Sequence, residues 1–215
     1  MGRLGMAQTG QEVAVLRGLA GWPRFDTLGV HVIGLAEDGT AGVWDATTVK
    51  QVLVLRDGEG GIADAVFRSG AQTAVTISNH GRARVWRLAD GSIVSETESY
   101  HRALHTVKLS GDGTVAAGHD QRSRTFIVVD VLSGQASVID GAPTGMPWIA
   151  LRPDGSLLAA RSEHYWRTRV WDTSRWASQV RVLTNEGWIN AATFSPDGSR
   201  VLVMSNGTAR VLDSN

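Results

Sequence analysis

WINAATFSPDGSRVLVMSNGTARVLD, running from Trp188 to Asp213, holds in one copy the pattern that decides the fold. A strand-like run from Trp188 to Phe194 reverses at Ser195-Pro196-Asp197-Gly198 and returns as Ser199 to Ser205. Pro at the second position of a turn and Gly at the fourth are the residues a tight reversal selects. Asn206-Gly207 then leads into TARVLD, and Asn-Gly between two alternating apolar runs is the strongest short-range hairpin signal. In complete copies a fourth run follows, such as VKQVLVLRD from Val49 to Asp57, again alternating at period two. The unit is a four-stranded antiparallel meander.

The end of its third strand recurs along the chain as Trp44-Asp45, Trp86-Arg87, Val129-Asp130, Trp171-Asp172 and Leu212-Asp213. The intervals are 86−44 = 42, 129−86 = 43, 171−129 = 42 and 212−171 = 41. A period this constant means an array of like units. Each is too short to bury its own apolar face, so neighbour must stack on neighbour. The turn before the second strand repeats as Ser110-Gly111-Asp112-Gly113 and Arg152-Pro153-Asp154-Gly155, degenerates at Arg68-Ser69-Gly70, and is shortened near Thr27-Leu28-Gly29. Wrapping such units into a ring removes most of their sheet edges.

At 215 residues, 42% hydrophobic and 20% charged, the chain is ordinary globular material with no composition break, so one domain is expected over 1–215. Its 21 basic and 21 acidic residues cancel, which argues against a global pull toward nucleic acid or anionic lipid. With no cysteine there is no disulfide framework, thiolate zinc site or cysteine nucleophile. The first residues carry no signal-peptide-like apolar segment and no stretch is long enough to cross a bilayer, so cytoplasm is the default location.

On these repeated endings the chain resembles the WD-repeat (WD40-type) β-propeller family, over essentially its whole length. The resemblance implies an all-β propeller of about five four-stranded antiparallel blades. It also implies that Trp44, Trp86 and Trp171 pack between blades as structural residues, with Asp45, Asp130, Asp172 and Asp213 closing their strands. In that family the tryptophan is held by an Asp in the turn before strand three and a His in the loop before the next blade. The turn position here holds Asp38, Asn79 or His80, Asp120, Glu163 and Asn206. The histidine position holds Leu19, Gly58, Tyr100, Pro143 and Asn185, so the family's hydrogen-bonded tetrad is incomplete.

Thr9 to Gly18, TGQEVAVLRG, matches a fourth strand, and counting back puts Gly5-Met6 where Trp-Asp would stand. Pairing of Gln11 to Gly18 with Thr208 to Asp213 would complete a shared blade and close a five-bladed ring. The rival expectation is a piece of a longer propeller.

Two residue sets are candidate sites. Arg122 and Arg124, with His164, Tyr165, Trp166 and Arg167, occupy lengthened loops in adjacent units and have the composition of an interface hot spot. The duller alternative is that they are tolerated insertions. Trp22, Arg24, Asp64, His105, Trp148, Trp188 and Asn190 stand near the starts of first strands, where they would ring a channel mouth, or else pack blade on blade. Arg82, Arg84, Arg87, Arg122, Arg124, Arg167 and Arg169 could form a basic stripe, although arginines beside third strands more often cover apolar surface. No nucleophile elbow, phosphate loop or zinc-protease motif is present, and His101 and His105, four apart on a strand, lie roughly 13 Å from each other, too far to share a metal. The expected role is a non-catalytic protein-interaction scaffold of the WD-repeat class, with a protein or peptide partner and no cofactor. The alternatives are a sensor or scaffold part of a larger bacterial signalling protein and, remotely, a propeller hydrolase.

Overall fold

A computed structural model describes residues 2–5, 12–16, 18–21, 23–58, 60–68, 72–100, 103–145, 147–161, 167–173, 178–184 and 189–214, with the backbone alone at 2–5, 12–14, 167 and 178–184. All regular structure among them is β, and none of it is a helix able to cross a membrane. An N-terminal hairpin pairs β1 (Gly2–Gly5) with β2 (Glu12–Leu16). The first sheet holds β3 (Arg24–Phe25), β4 (His31–Leu35), β5 (Ala41–Asp45) and β6 (Gln51–Leu55). The second holds β7 (Ile62–Phe67), β8 (Thr73–Ser78), β9 (Ala83–Arg87) and β10 (Ile93–Glu96). The third holds β11 (His105–Leu109), β12 (Val115–Asp120), β13 (Thr125–Asp130) and β14 (Ala136–Asp140). The fourth holds β15 (Ile149–Leu151), β16 (Leu157–Arg161), β17 (Arg167–Asp172) and β18 (Ser178–Thr184). The fifth has three strands, β19 (Ile189–Phe194), β20 (Arg200–Ser205) and β21 (Thr208–Asp213). All are antiparallel meanders in chain order, and successive first strands approach one another, β7 to β11 to β15 to β19, an arrangement consistent with a β-propeller-like fold.

Carboxylates build the turns. Asp112 Oδ1 accepts from the Thr114 amide at 3.0 Å and hydroxyl at 2.8 Å, Asp154 from Ser156 at 3.0 and 2.7 Å, and Asp197 from the Ser199 amide at 3.1 Å. The glycine between them has φ of +70°, +75° and +71° in the three turns, a conformation that only glycine adopts at little cost. A second set explains why an acid follows the bulky residue of strand three. Asp45 Oδ1 takes the Thr47 and Thr48 amides at 2.9 and 2.7 Å, and Asp130 Oδ1 those of Leu132 and Ser133 at 3.0 and 2.8 Å. Each sheet is then locked by the same backbone bond: Ala46 to Val30, Leu88 to Gln72, Val131 to Thr114, Thr173 to Ser156 and Ser214 to Ser199, all at 2.8–3.0 Å.

The core is a series of layers between consecutive sheets. Val43 of the first sheet lies with Ile62, Ala65, Phe67 and Trp86 of the second. Val85 of the second lies with Leu109, Ala116, Ile127 and Val129 of the third. Val128 and Phe126 of the third lie with Leu158, Ala160 and Trp171 of the fourth. Trp44 of the first sheet faces back to Leu16 of the hairpin. Side chains alternate across a strand. The residue that ends strand three therefore packs on the preceding sheet, and the valine before it packs on the following one. Trp171 is 3% exposed and meets Phe126 edge-on with centroids 5.4 Å apart; Trp86 is 5% exposed and donates its Nε1 hydrogen to Thr76 Oγ1 at 2.8 Å. Trp44 covers Gly42 of its own strand, where a Cβ would collide with the ring.

The expected pairing of residues 11–18 with 208–213 is not found. Glu12–Leu16 pairs with Gly2–Gly5, from Gly2 opposite Leu16 to Gly5 opposite Glu12, and β21 stands as the edge of its sheet. Loop-closure entropy favours the local partner: closing across nearly the whole chain costs about 3 kcal/mol more than closing a short hairpin. Leu16, 2% exposed, then anchors the hairpin on Trp44 and Val32.

One buried ion pair ties the first sheet to the second. The Arg84 guanidinium donates to both the backbone oxygen and Oδ1 of Asp57, and its Nε donates to Glu96 Oε2 at 2.8 Å. That bond, aided by the nearby positive charge, holds the Glu96 carboxyl below its usual pKa.

Trp86→Ala or Trp171→Ala should each cost about 3–5 kcal/mol through the cavity left behind. In urea unfolding this appears as a lower midpoint with an unchanged slope. Arg84→Ala should cost about 3–5 kcal/mol by leaving the Asp57 carboxylate buried without its cation. A loss below about 1 kcal/mol in the same assay would mean that water replaces the guanidinium without penalty.

Candidate binding site

The sheets present two rims of turns. One carries the turns from second to third strands together with the links between sheets, which bond to one another: Leu104 to Asn79 at 2.8 Å, Tyr100 to His80 at 2.9 Å, Ala142 to Arg124 at 3.0 Å. Arg122 and Arg124 are exposed on this rim, in the turn that Asp120 organises by accepting the Arg122 amide at 2.9 Å. Arg124 sits at φ +57°, a left-handed conformation uncommon for a residue with a Cβ. Of the residues expected beside them, His164, Tyr165 and Trp166 lie outside the described residues, and Arg167 is described by its backbone alone, opposite Thr184.

Trp22 and Trp188 of the expected channel mouth also lie outside the described residues, as does His101. Arg24 and Asp64 do come together. Arg24 donates to Asp64 Oδ2 at 3.3 Å and to the Ala65 oxygen at 3.2 Å, while Asp64 accepts the Leu109 amide at 2.9 Å and the Ala65 amide at 3.0 Å. This carboxylate links the first strands of three successive sheets, and its lone pairs are largely used in doing so. His105 is half-buried opposite His119, Trp148 packs on Ile189, Val201 and Val203, and Asn190 is exposed. Arg84 is buried and so does not extend a basic stripe, whereas Arg87 is exposed and bonds Ser92 at 2.8 Å. Among the described residues no three His, Asp or Glu side chains converge as a metal site requires.

The other rim carries the turns from first to second and from third to fourth strands. Between the third, fourth and fifth sheets it is closed: Asp112 donates its amide to the Pro153 oxygen at 2.9 Å, Gly155 packs on Val115, and Gly198 packs on Arg152. Between the first and second sheets a cleft of about 540 Å³ is open, lined by Asp26, Leu28, Val30, His31, Phe67, Arg68, Gln72 and Leu88 among others. Residues 69–71 of the adjoining turn lie outside the described residues.

The cleft owes its chemistry to the first sheet's turn, FDTLGV, which stands where the third, fourth and fifth units have an Asp-Gly turn. Asp26 Oδ1 accepts the Val30 amide at 2.8 Å, its Oδ2 lies 3.0 Å from His31 Nδ1, and the Asp26 amide donates to the His31 oxygen at 3.0 Å. With the chain held from inside, the tip projects apolar side chains: Leu28 is 83% exposed, Phe25 57% and Val30 42%. Partial burial raises the Asp26 carboxyl, but the hydrogen bonds from the His31 ring and from the His31 and Val30 amides outweigh it, so its pKa lies below the ordinary value. Sequence reasoning registered this turn only as shortened. The signal was Leu28 at a turn tip where the third, fourth and fifth copies carry Asp-Gly.

No protein-family model matches the chain, and no curated protein matches it significantly.

A carboxyl depressed by folding contributes stability above its unfolded pKa and loses it as the pH falls through its folded value. The Asp26 turn should therefore be intact at neutral pH and loosen below about pH 4. Asp26→Ala should loosen it at every pH, at a cost of about 1–2 kcal/mol. Hydrogen exchange at the Val30 amide checks both outcomes. If its protection is the same at pH 3 and pH 6 in the intact protein, Asp26 does not hold the turn.

Proposed function

We propose that the protein is a non-catalytic interaction scaffold of the WD-repeat class, and that its partner docks at the Asp26–His31 turn. The observation that carries this reading is the exposed apolar tip, Phe25, Leu28 and Val30, beside an open cleft. Among the described residues the other exposed large apolar side chain on a turn, Leu132, stands alone, whereas three cluster here, and a cluster of exposed large apolar side chains on one short turn marks a contact surface. The cleft is concave, mainly apolar and edged by Arg68 and the Asp26–His31 pair, which suits one apolar side chain of a protein segment with a few polar bonds around it. Rigid presentation favours binding, because little entropy remains to be lost when a partner arrives. Arg122 and Arg124 belong to a second surface on the opposite rim.

We read the array as six blade positions and not five. The N-terminal hairpin holds third and fourth strands of a unit, the fifth sheet holds first, second and third, and two third strands cannot share one blade.

Leu28→Asp should leave thermal unfolding within about 0.5 kcal/mol of the parent, as for an exposed site, and weaken partner binding by about 2 kcal/mol, near thirtyfold. Affinity capture with parent and variant identifies the partner, and titration of that purified partner against both gives the affinities. Equal affinities would remove the cleft from the proposal.

A further inference from the structure

The valine that precedes each third-strand ending is a built-in reporter of whether the next layer is present. Val43, Val85, Val128 and Val170 are 0%, 3%, 0% and 6% exposed, whereas Val211 at the same position of the fifth sheet is 60% exposed. Its cross-strand partner is Leu202, and Ala209 stands opposite Met204, itself 48% exposed. Ala191 and Thr193 of β19 extend the same face, since they pair with Met204 and Leu202. The corresponding pairs in the third and fourth sheets, Ala117 with Val128 and Ala159 with Val170, are all buried. On its other side the fifth sheet is covered: Val201 and Val203 are 1% and 2% exposed beside Trp148. So the fifth sheet has the two apolar faces of an interior layer, and one of them is bare.

We infer that this bare face, Leu202, Met204, Ala209 and Val211 with Ala191 and Thr193, docks on the same face of a second copy of the chain about a twofold axis. Three features select that occupant. The forward faces of the earlier sheets are each covered by an apolar sheet face, so an apolar sheet face is what this one is built to take, here the like face of the other copy. Its centre carries no charge, and among the described residues the charged ones that border it in register, Arg200 and Asp213, are a cross-strand pair of opposite sign, so two copies meet without like-charge conflict. A second copy is also the partner present at matching concentration, and twofold contacts are the commonest way for one patch to meet itself. A cleft of about 400 Å³ along Ser199, Arg200, Val211, Leu212 and Asp213 offers room at the rim for a side chain of the other copy.

Strand geometry limits the strength. Three strands about 4.8 Å apart and about six residues long make a face of roughly 14 by 20 Å. That is well below the roughly 800 Å² per partner of a standard stable interface, so the dimer should be weak, in the micromolar range or above. Sedimentation velocity over a roughly hundredfold range of concentration should show a monomer passing to a dimer and to nothing larger. Val211→Lys and, separately, Met204→Lys place like charges against each other across the twofold and should each raise the dimer Kd at least tenfold, with thermal unfolding unchanged because both side chains are exposed. Leu28→Asp, on the opposite end of the array, should leave the dimer intact. A parent protein that stays monomeric throughout overturns the inference. So does association that survives both lysine variants, association abolished by Leu28→Asp, or growth beyond dimers, which would mean an open-ended contact through a different face.

Discussion

Two adjacent residues at the end of each third strand carry the architecture. Because neighbouring side chains on a strand point to opposite faces, the pairs Val43-Trp44, Val85-Trp86, Val128-Val129 and Val170-Trp171 each bury one side chain on either side of their sheet. The backward-facing member fills the layer shared with the preceding sheet, and the forward-facing valine fills the next. No sheet can be stable alone under this rule, since each owns only half of two layers. Cooperativity along the array, the near-constant period and the sensitivity of any one layer to cavity formation all follow from that division. Stability is therefore a property of neighbours, and the fifth sheet shows in Val211 what the same residue looks like without one.

Charge is spent on geometry. Asp45 and Asp130 close the turns after third strands, Asp112, Asp154 and Asp197 close those after first strands, and Asp57 and Asp64 accept from arginines of adjacent sheets. Hydrogen bonds to ionised carboxylates favour the charged form, which is why the Asp45, Asp154 and Asp197 carboxyls lie below their ordinary pKa, the last at about 2. The arginines follow the same economy. Arg24 and Arg84, which in sequence are simply basic residues, are inter-sheet ties.

The sequence made the repeat legible because the residues that create it act locally. The third-strand endings recur at a near-constant spacing, and the Asp-Gly turns at 112–113, 154–155 and 197–198 and the Asn206-Gly207 turn each fix a few dihedral angles, so strand order and antiparallel pairing could be read from them. What could not be read was which strand takes the N-terminal one as partner. EVAVL is a good fourth strand for any third strand, and alternation alone does not say whether β1 or β21 receives it. That choice rests on loop-closure entropy and on the seat of Leu16 beside Trp44, both properties of the folded array. The sites were harder for a related reason. Arg24 and Asp64, 40 residues apart, could be grouped by register, but only coordinates show that they satisfy each other. Trp-Tyr-Arg composition drew attention to 164–167, whereas the apolar turn at Phe25 to Val30 was visible only as a departure from its own repeats.

That departure connects stability to function. In an array whose layers are held by strand residues and whose turns are held by single carboxylates, a turn tip can change without loosening the sheets beneath it. The first unit replaces the Asp-Gly turn by an Asp26–His31 brace, which secures the same reversal through the Val30 amide and leaves the intervening positions unconstrained. Those positions carry Leu28 and, at the flanks, Phe25 and Val30, all exposed, with Leu28 and Val30 lining a cleft that the later units fill with their own turn glycines. An apolar side chain placed there adds nothing to the layers and is costly to leave in water. Its retention on a braced turn is therefore best accounted for by something that covers it.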